Sequence, residues 1–280
     1  MRFEKWQALG NDYVIVERDA LPWKLTPERV RRICEPHFGV GADGVLELGP
    51  AAAPHVAELR IFNPDGSEAE LSGNGAREAA LYLRRSDWTG DEEFSILTPA
   101  GEVRPRILSQ TSCAMAMGRA RTASGAFPSG GPDGTGSLAA GGREWRFQHV
   151  SIGNPQCVID VGDEVEELDL GRIGPEIENH ELFPERTNVS FVRVEDSTVR
   201  ARIFERGVGE TLSSGTGACG AAVAAVLRGA ASPITVRLDG GELEVDVDNE
   251  LEVVLVGSAE PVYAGELSQE LVAALGSPAV

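Results

Sequence analysis

Short stretches in which apolar and polar residues alternate recur along the chain, and this pattern predicts half-buried β-strands. The longest series runs from Ile234 to Tyr263, with turns expected at Asp239-Gly240-Gly241 and at Asp248-Asn249. Strands are also predicted over residues 13–17, 57–62, 157–161 and 199–204. Much of the chain is therefore expected to form β-sheet.

A spacing of three and four between apolar residues predicts helices over Ala76–Arg85 and Ala218–Arg228. Each helix ends in arginine, and a cation in the last turn suits the helix dipole. A third helix is expected where Thr26 can cap the first turn and Pro27 can occupy it, followed by an apolar stripe that includes Val30. Strands and helices together indicate an α+β fold.

One segment of the chain occurs twice. Residues 60–80 and 202–222 align at a constant shift of 142 (202 − 60), and ten of the 21 positions are identical. Upstream, Gly10-Asn11 has a counterpart in Gly153-Asn154, at a shift of 143 (153 − 10). Two echoes in the same order indicate two copies of one fold unit, and hence two similar domains.

Each copy contains a Ser-Gly-x-Gly loop directly before its alanine-rich helix. A helix N-terminus offers unpaired backbone N–H groups and a partial positive charge, so each loop can bind an anion. Ser72 and Ser214 open the two loops and are expected to approach a ligand from opposite sides, in a cleft between the domains. That geometry suits removal of a proton from one face of a carbon and return of a proton to the other.

Polar residues before the second loop narrow the class of ligand. Glu205 can pair with an ammonium group, and Arg206 can bind a carboxylate through two parallel hydrogen bonds. An amino acid carries both groups and fits this pair. A single Ser-Gly-x-Gly segment is more often only a turn or a helix cap, so the functional interpretation depends on the duplication in register.

Composition argues against several other classes of protein. The chain has 280 residues, 42% hydrophobic and 25% charged, which suits a protein with a buried core. A formal charge of -19 disfavours nucleic acid and anionic membrane surfaces as partners. No apolar run approaches the roughly 20 residues of a membrane-spanning helix, and no secretory signal is evident. The four cysteines are scattered, so we expect a reduced, cytoplasmic protein without a structural metal site.

Two other glycine-rich segments have simpler interpretations. Thr122 to Gly142 is dominated by glycine, serine, proline and alanine, which is typical of a flexible surface loop or linker between the domains. The segment Gly39 to Gly44 looks superficially like a phosphate-binding loop. It lacks the lysine and the following long helix of a P-loop, so nucleotide binding is not expected.

Together these motifs resemble those of the diaminopimelate epimerases, the cofactor-independent two-base epimerases of lysine and peptidoglycan precursor synthesis. The resemblance covers nearly the full length and rests on Leu9-Gly10-Asn11-Asp12, Gly39–Gly44, Asn63–Glu68, Gly73–Arg77, Gly153-Asn154-Pro155, Pro184–Asn188, Glu205–Thr211 and Gly215–Cys219. It implies two similar α/β domains related by pseudo-twofold symmetry, each a mostly antiparallel sheet wrapped around a central helix, with the active-site cleft between them. The implied boundaries are 1–117 plus 263–280 for the N-terminal domain and 118–262 for the C-terminal domain.

The resemblance also implies an activity and its site residues. LL- and meso-diaminopimelate would be interconverted by α-proton transfer without a cofactor or a metal, and Ser72 and Ser214 occupy the two catalytic positions. The implied substrate-binding residues are Asn11, Asn63, Gly73, Asn74, Asn154, Asn188, Glu205, Arg206, Gly215 and Thr216. The amino acid is then the expected small-molecule partner, and a homodimer is the candidate assembly.

The sequence departs from the family pattern at the catalytic positions. The family has a cysteine at the start of each Gly-x-Gly loop, one as thiolate base and the other as thiol acid, whereas this chain has serine at both. Gln156 stands where the family usually has histidine, and Glu78 where a cysteine is common. A serine hydroxyl is far less acidic than a thiol and normally needs a neighbouring base. No such base is evident beside either serine in the sequence.

Four interpretations of the chain stay open. It is an epimerase whose serines work slowly or are activated by other groups, or it is a racemase or dehydratase of another amino acid. Alternatively it binds an amino acid without turnover, or its serines are engineered to trap the substrate. The last interpretation accounts for the two serines but not for Gln156 or Glu78.

Overall fold

A computed structural model describes residues 1–277 of the chain. The chain forms two compact units: unit 1 comprises Met1–Met115 together with the segment from Gly257 onward, and unit 2 comprises Ala116–Val256. The chain leaves unit 1 within strand β9 (Ser112–Arg119) and returns within strand β18 (Glu252–Ser258). The domain boundaries implied by the family resemblance stay a prediction.

Unit 1 is built on a mixed sheet with the strand order β19-β1-β2-β3-β4-β6-β7, and β5 pairs with β4. Its elements are β1 (Arg2–Ala8), β2 (Asn11–Glu17), α1 (Pro27–Cys34), β3 (Val45–Pro50), β4 (Ala57–Phe62), β5 (Glu68–Ala69), α2 (Gly73–Arg85), β6 (Ile96–Thr98), β7 (Gly101–Val103), β8 (Pro105–Ile107), β19 (Glu260–Glu266) and α5 (Gln269–Gly276). Only the β2–β3 and β4–β6 pairs of this sheet are parallel.

Unit 2 is built on the second sheet, which has the strand order β10-β11-β12-β13-β14-β16-β17-β18-β9-β8, with β15 beside β14. Its further elements are β10 (Thr135–Ala140), β11 (Arg143–Ser151), β12 (Pro155–Asp160), α3 (Leu170–Glu178), β13 (Asn188–Glu195), β14 (Thr198–Glu205), β15 (Gly209–Thr211), α4 (Gly215–Leu227), β16 (Ile234–Leu238) and β17 (Gly241–Val247). The β12–β13 and β14–β16 pairs are parallel.

The two units repeat one series of elements. In each, a parallel pair connected through a helix (α1 or α3) is followed by an antiparallel pair and by a second parallel pair connected through a longer helix (α2 or α4). Helices α2 and α4 each have 13 residues and begin 142 positions apart (215 − 73). Arg60 bonds to Glu68 at 2.8 Å, and Arg202 bonds to Glu210 at the same distance. The internal duplication predicted from the sequence is therefore confirmed.

Helices α2 and α4 are the buried helices of their units. All residues from Asn74 to Leu83 and from Gly217 to Ala225 are buried. In α4 the buried residues are alanine and glycine apart from Cys219 and Val223, and such small side chains let a helix pack closely against a sheet. Helix α2 also buries the polar residues Asn74, Arg77 and Glu78. Each helix therefore has a fixed position, and so has the serine at its start.

Several local predictions are confirmed, and two need correction. Helix α1 begins at Pro27 with Thr26 as its cap, as predicted. Helices α2 and α4 begin three residues earlier than predicted, because the glycines belong to the first turn. The surface loop or linker predicted over 122–142 holds for 122–134, which has no helix or strand and is mostly exposed, although Phe127 is buried there against Phe147 and Phe183. It is wrong for the rest, because β10 lies there and pairs with β11. Among residues 1–277, no helix combines the length and the hydrophobicity needed to cross a membrane.

Candidate functional site

Ser72 is the N-cap of α2 in unit 1. Its backbone is extended, and its Oγ accepts a hydrogen bond from the Gly75 amide at 3.1 Å, which is the usual capping contact. The phenol of Tyr13 also donates to this Oγ, at 3.3 Å. The Ser72 hydroxyl is thereby held at the positive end of a helix, beside a second hydroxyl group.

A network of amides and charged groups surrounds the first turn of α2. The Asn74 amide donates to Asn11 Oδ1 at 3.2 Å, and Asn11 donates to an Asp43 carboxylate oxygen at 3.0 Å. The guanidinium of Arg77 is fully buried and donates to Asn74 Oδ1 at 2.7 Å and to the Gly73 carbonyl at 3.2 Å. Three of the predicted binding residues, Asn11, Gly73 and Asn74, are therefore brought together.

Asn63 has a different role from the other predicted residues of unit 1. It lies in the turn after β4, and its amide donates to the Ser67 hydroxyl at 2.9 Å. The backbone N–H of Asn63 also donates to the backbone carbonyl of Ser67, and this bond closes the turn. The structure thus gives Asn63 contacts within its own turn.

Glu78 lies in the second turn of α2 and is fully buried. Among the described residues, neither of its carboxylate oxygens has a hydrogen-bond partner in good geometry. Burial raises the pKa of Glu78 well above its ordinary value. Arg77 and a weak interaction with the Tyr13 backbone lower this pKa, whereas Asp12 and Asp43 raise it further. The folded protein therefore favours the neutral carboxylic acid at this position.

Ser214 is the N-cap of α4 in unit 2, and it is buried. Its Oγ accepts a hydrogen bond from the Gly217 amide at 3.3 Å and donates one to the Glu205 carboxylate at 3.0 Å. The second oxygen of Glu205 accepts a bond from the Thr211 hydroxyl at 2.8 Å. Desolvation raises the pKa of Glu205, while the bonds from Thr211 and Ser214 act in the opposite direction. The prediction that no base lies beside either serine is thus wrong for Ser214.

The remaining predicted residues of unit 2 form two small groups. Asn154 donates to the Thr216 hydroxyl at 3.1 Å and accepts a bond from the Gln156 amide at 2.7 Å. Asn188 accepts a bond from the Arg206 backbone amide at 2.8 Å. The Arg206 guanidinium, predicted to bind a carboxylate, donates to the Glu185 carbonyl at 2.9 Å. Gly215 is the first residue of α4.

Sequence reasoning missed three residues at the loops, Tyr13, Thr211 and Arg77. Tyr13 follows Asn11 by two positions on β2, so the two side chains lie on one face of the strand. Thr211 ends β15, which pairs with the end of β14 and brings Thr211 back toward Glu205. The strand alternation is a signal that could have identified Tyr13, whereas the contact of Thr211 depends on how the hairpin folds.

Gly220 makes room for Gln156 under the second loop. A Cβ at position 220 would lie 2.8 Å from Cγ and 2.9 Å from Cβ of Gln156, so Gly220→Ala should displace that side chain. Overpacking should lower the free energy of unfolding by about 1–3 kcal/mol, and the higher helix propensity of alanine should restore about 1 kcal/mol of it. Urea unfolding at neutral pH measures the net change. Gly171→Ala in α3 is the matched control, because its Cβ would meet only ordinary contacts. Equal stability of the two variants would contradict this packing argument.

The thiols of Cys34, Cys113 and Cys157 do not supply the thiolate that the two loops lack. All four cysteines are buried and free of disulfides. Burial raises the pKa of both Cys34 and Cys113 to about 12, and it raises that of Cys157 well above the ordinary value. These three thiols are therefore protonated at neutral pH.

A sequence model described as diaminopimelate epimerase matches residues 3–123 and 148–262 of the chain. The chain is 42% identical to a diaminopimelate epimerase from Synechococcus sp. (strain JA-3-3Ab), over 96% of this chain and 99% of the relative. It is 39% identical to a chloroplastic diaminopimelate epimerase from Oryza sativa subsp. japonica, over 95% of this chain and 79% of the relative.

Solved structures with the same fold are more distant in sequence. A probable proline racemase from Agrobacterium radiobacter K84 superposes with a TM-score of 0.69 at 16% identity, covering 96% of this chain and 93% of the other. A hydroxyproline epimerase from Agrobacterium vitis superposes with a TM-score of 0.65 at 16% identity, covering 95% and 91%. At this identity the likeness establishes the fold, and the fold class predicted from the sequence is confirmed.

Proposed function

Because the chain belongs to the diaminopimelate epimerase family, we propose that it interconverts LL- and meso-diaminopimelate by moving the α-proton from one face of the carbon to the other. The observation that carries the proposal is the pair of serine N-caps, Ser72 and Ser214, at equivalent positions of the duplicated unit. Each places a hydroxyl at the start of a buried helix, where the family has its proton-transfer groups.

The surroundings of the serines suit the charge that develops in this reaction. Removal of an α-proton leaves a carbanion whose charge spreads onto the substrate carboxylate. The first amides of an α-helix have no intrahelical acceptor, so the starts of α2 and α4 can stabilise that charge. Preorganised donors of this kind supply much of the rate enhancement in many enzymes.

The substrate contacts are proposed from the same loops. Asn11, Gly73 and Asn74 would bind from unit 1, and Asn154, Gly215 and Thr216 from unit 2, since each set lies at the start of a capped helix. Asn63, Asn188, Glu205 and Arg206 complete the proposed set. The cytoplasmic location and the homodimer stay expectations from the sequence.

Incubation with diaminopimelate in deuterated water tests the proposal. We expect deuterium at the α-carbon, detected by mass spectrometry. We also expect the LL-isomer to form from the meso-isomer, detected by chiral chromatography. Ser72→Ala and Ser214→Ala should each lower the exchange rate by about 10²-fold or more, because a general acid or base is lost.

A panel with proline, hydroxyproline and lysine in place of diaminopimelate tests the substrate class. Exchange at another amino acid but not at diaminopimelate would overturn the substrate assignment. A measurable heat of binding for diaminopimelate without any α-deuterium would instead identify an amino-acid-binding protein. That second function is favoured by one observation, the low acidity of the two hydroxyls that replace thiols.

A further inference from the structure

The loop Gly39–Gly44, between α1 and β3, lies outside the proposed set of catalytic and binding residues, yet it contacts one member of that set. Asp43 Oδ2 accepts a hydrogen bond from the side-chain amide of Asn11 at 3.0 Å. The same oxygen accepts the backbone N–H of Asp12 at 3.0 Å. The Asp12 carboxylate in turn accepts the backbone N–H of Asp43 at 3.0 Å. The Asp43 carboxylate is therefore held against the start of β2.

Four side chains of unit 1 form a chain in which every hydrogen bond runs in the same direction. Arg77 donates to Asn74 Oδ1 at 2.7 Å, and Asn74 Nδ2 donates to Asn11 Oδ1 at 3.2 Å. Asn11 Nδ2 then donates to Asp43. A guanidinium only donates and a carboxylate only accepts, so the charged ends determine which way each amide faces. Turning the Asn11 amide over would set nitrogen against nitrogen at one side and oxygen against oxygen at the other.

We propose that Asp43 is a positioning residue for substrate binding, which holds the side-chain amide of Asn11 in one orientation. The inference rests on the proposed function, because Asn11 is a substrate contact only within it. An amide has two N–H groups and two lone pairs, and the contacts within residues 1–277 use one of each at Asn11. The other N–H and the other lone pair therefore have fixed positions, where they can meet a ligand that carries a carboxylate and an ammonium group.

The position of Asp43 separates this role from a role in folding. Asp43 is exposed, so its side chain fills no space in the core. The loop that carries it has other attachments to the sheet. Lys5 donates to the Gly41 carbonyl at 2.6 Å, and the Val14 backbone N–H donates to the Gly44 carbonyl at 3.0 Å. A substitution at position 43 should therefore leave the loop in place and release mainly the amide that it orients.

Kinetics of two substitutions test the orienting role. Asp43→Ala should raise KM for diaminopimelate in α-deuterium exchange by about fivefold or more, with kcat changed by less than about twofold. The loss falls on KM because Asn11 would contact the substrate rather than the migrating proton. Asp43→Asn should stay within about twofold of the wild-type KM, since its Oδ1 can still accept both hydrogen bonds. Asp248→Ala is the matched control: this exposed carboxylate also accepts two loop N–H groups, and its loss should change neither parameter.

An Asn11→Ala background shows whether Asp43 acts through Asn11. In that background Asp43→Ala should raise KM no further, because the amide that it orients has been removed. An equal rise in KM with and without the Asn11 side chain would overturn the proposal. Equal losses in Asp43→Asn and Asp43→Ala would also overturn it, because they would assign the effect to the negative charge alone.

A second measurement needs no turnover. The side-chain amide signals of Asn11 and Asn74 can be followed by NMR in nitrogen-labelled protein and assigned by their loss in the corresponding alanine variants. Asp43→Ala should shift both signals, because Asn11 links Asp43 to Asn74. In the Asn11→Ala background it should shift the Asn74 signal no further.

Unshifted amide signals in Asp43→Ala would overturn the proposal. Shifted signals in a protein that neither binds nor exchanges diaminopimelate would support the orienting role of Asp43 and overturn only the substrate assignment.

Discussion

Replacing both loop serines with cysteine, Ser72→Cys together with Ser214→Cys, should raise the rate of α-proton exchange from diaminopimelate by roughly 10²- to 10⁴-fold. A thiol has a reference pKa near 8.5 that falls at a helix N-terminus, so it provides a thiolate at neutral pH, whereas a serine hydroxyl does not. Both positions are N-caps of buried 13-residue helices, so the new thiols would stand at the same helix starts. Exchange in deuterated water, compared at equal protein concentration, measures the gain.

Ser268→Cys is the control for that substitution. Ser268 is also a helix N-cap, since its Oγ accepts a bond from the Leu271 amide at 3.2 Å, but α5 has no Ser-Gly-x-Gly loop. Its replacement should leave the exchange rate unchanged. If the double variant gained no activity, thiol chemistry at these positions would not be what limits the reaction, and the proposed roles of Ser72 and Ser214 would be contradicted.

Glu78→Gln should make the protein more stable than the wild type at neutral pH, and the advantage should disappear in acid. Burial raises the pKa of Glu78, so the folded state binds its proton more tightly than the unfolded state does. The stabilising effect of protonated Glu78 is fully present below the ordinary glutamate pKa of about 4.3, and it is lost as the pH rises toward the folded-state value. Glutamine has no proton to lose.

The expected gain grows by up to about 1.4 kcal/mol per pH unit over that window. Urea unfolding of Glu78→Gln and of the wild type measures this difference in the free energy of unfolding. The pH range, about 4 to 7.5, begins near the ordinary glutamate pKa. Glu244→Gln removes an exposed carboxyl from β17 and should show no such pH dependence. A difference between Glu78→Gln and the wild type that stays constant across the range would contradict the argument that Glu78 carries the titration.

Local rules were sufficient for much of the fold. Thr26 and Pro27 predict the start of α1 because capping and a fixed φ act within one turn. The strand over Ala57–Phe62 has the predicted limits, since alternation and flanking turns define it locally. The duplication alone places Ser72 and Ser214 at equivalent points of the two units. Features set by one or two turns of chain are thus accessible to sequence reasoning.

Contacts between distant segments were not accessible in the same way. Phe127 lies in a glycine-rich stretch that predicts a linker, but it is buried by aromatic side chains from β11 and from the segment after α3. The bond between Glu205 and Ser214 depends on the hairpin of β14 and β15, which aims the carboxylate at a residue nine positions on. Composition carries no information about either partner.

In each unit, the serine Oγ has both a structural role and a proposed catalytic role. It accepts the hydrogen bond that caps the first turn of the helix, and it lies where proton transfer is proposed. Serine is among the preferred residues for that structural task, and losing such a cap costs about 0.5–2 kcal/mol. Serine in place of cysteine at these two positions therefore stabilises the start of the helix, but its hydroxyl is less acidic than a thiol. The opposite change, from serine to cysteine, therefore lowers the free energy of unfolding, and it does so separately in each unit.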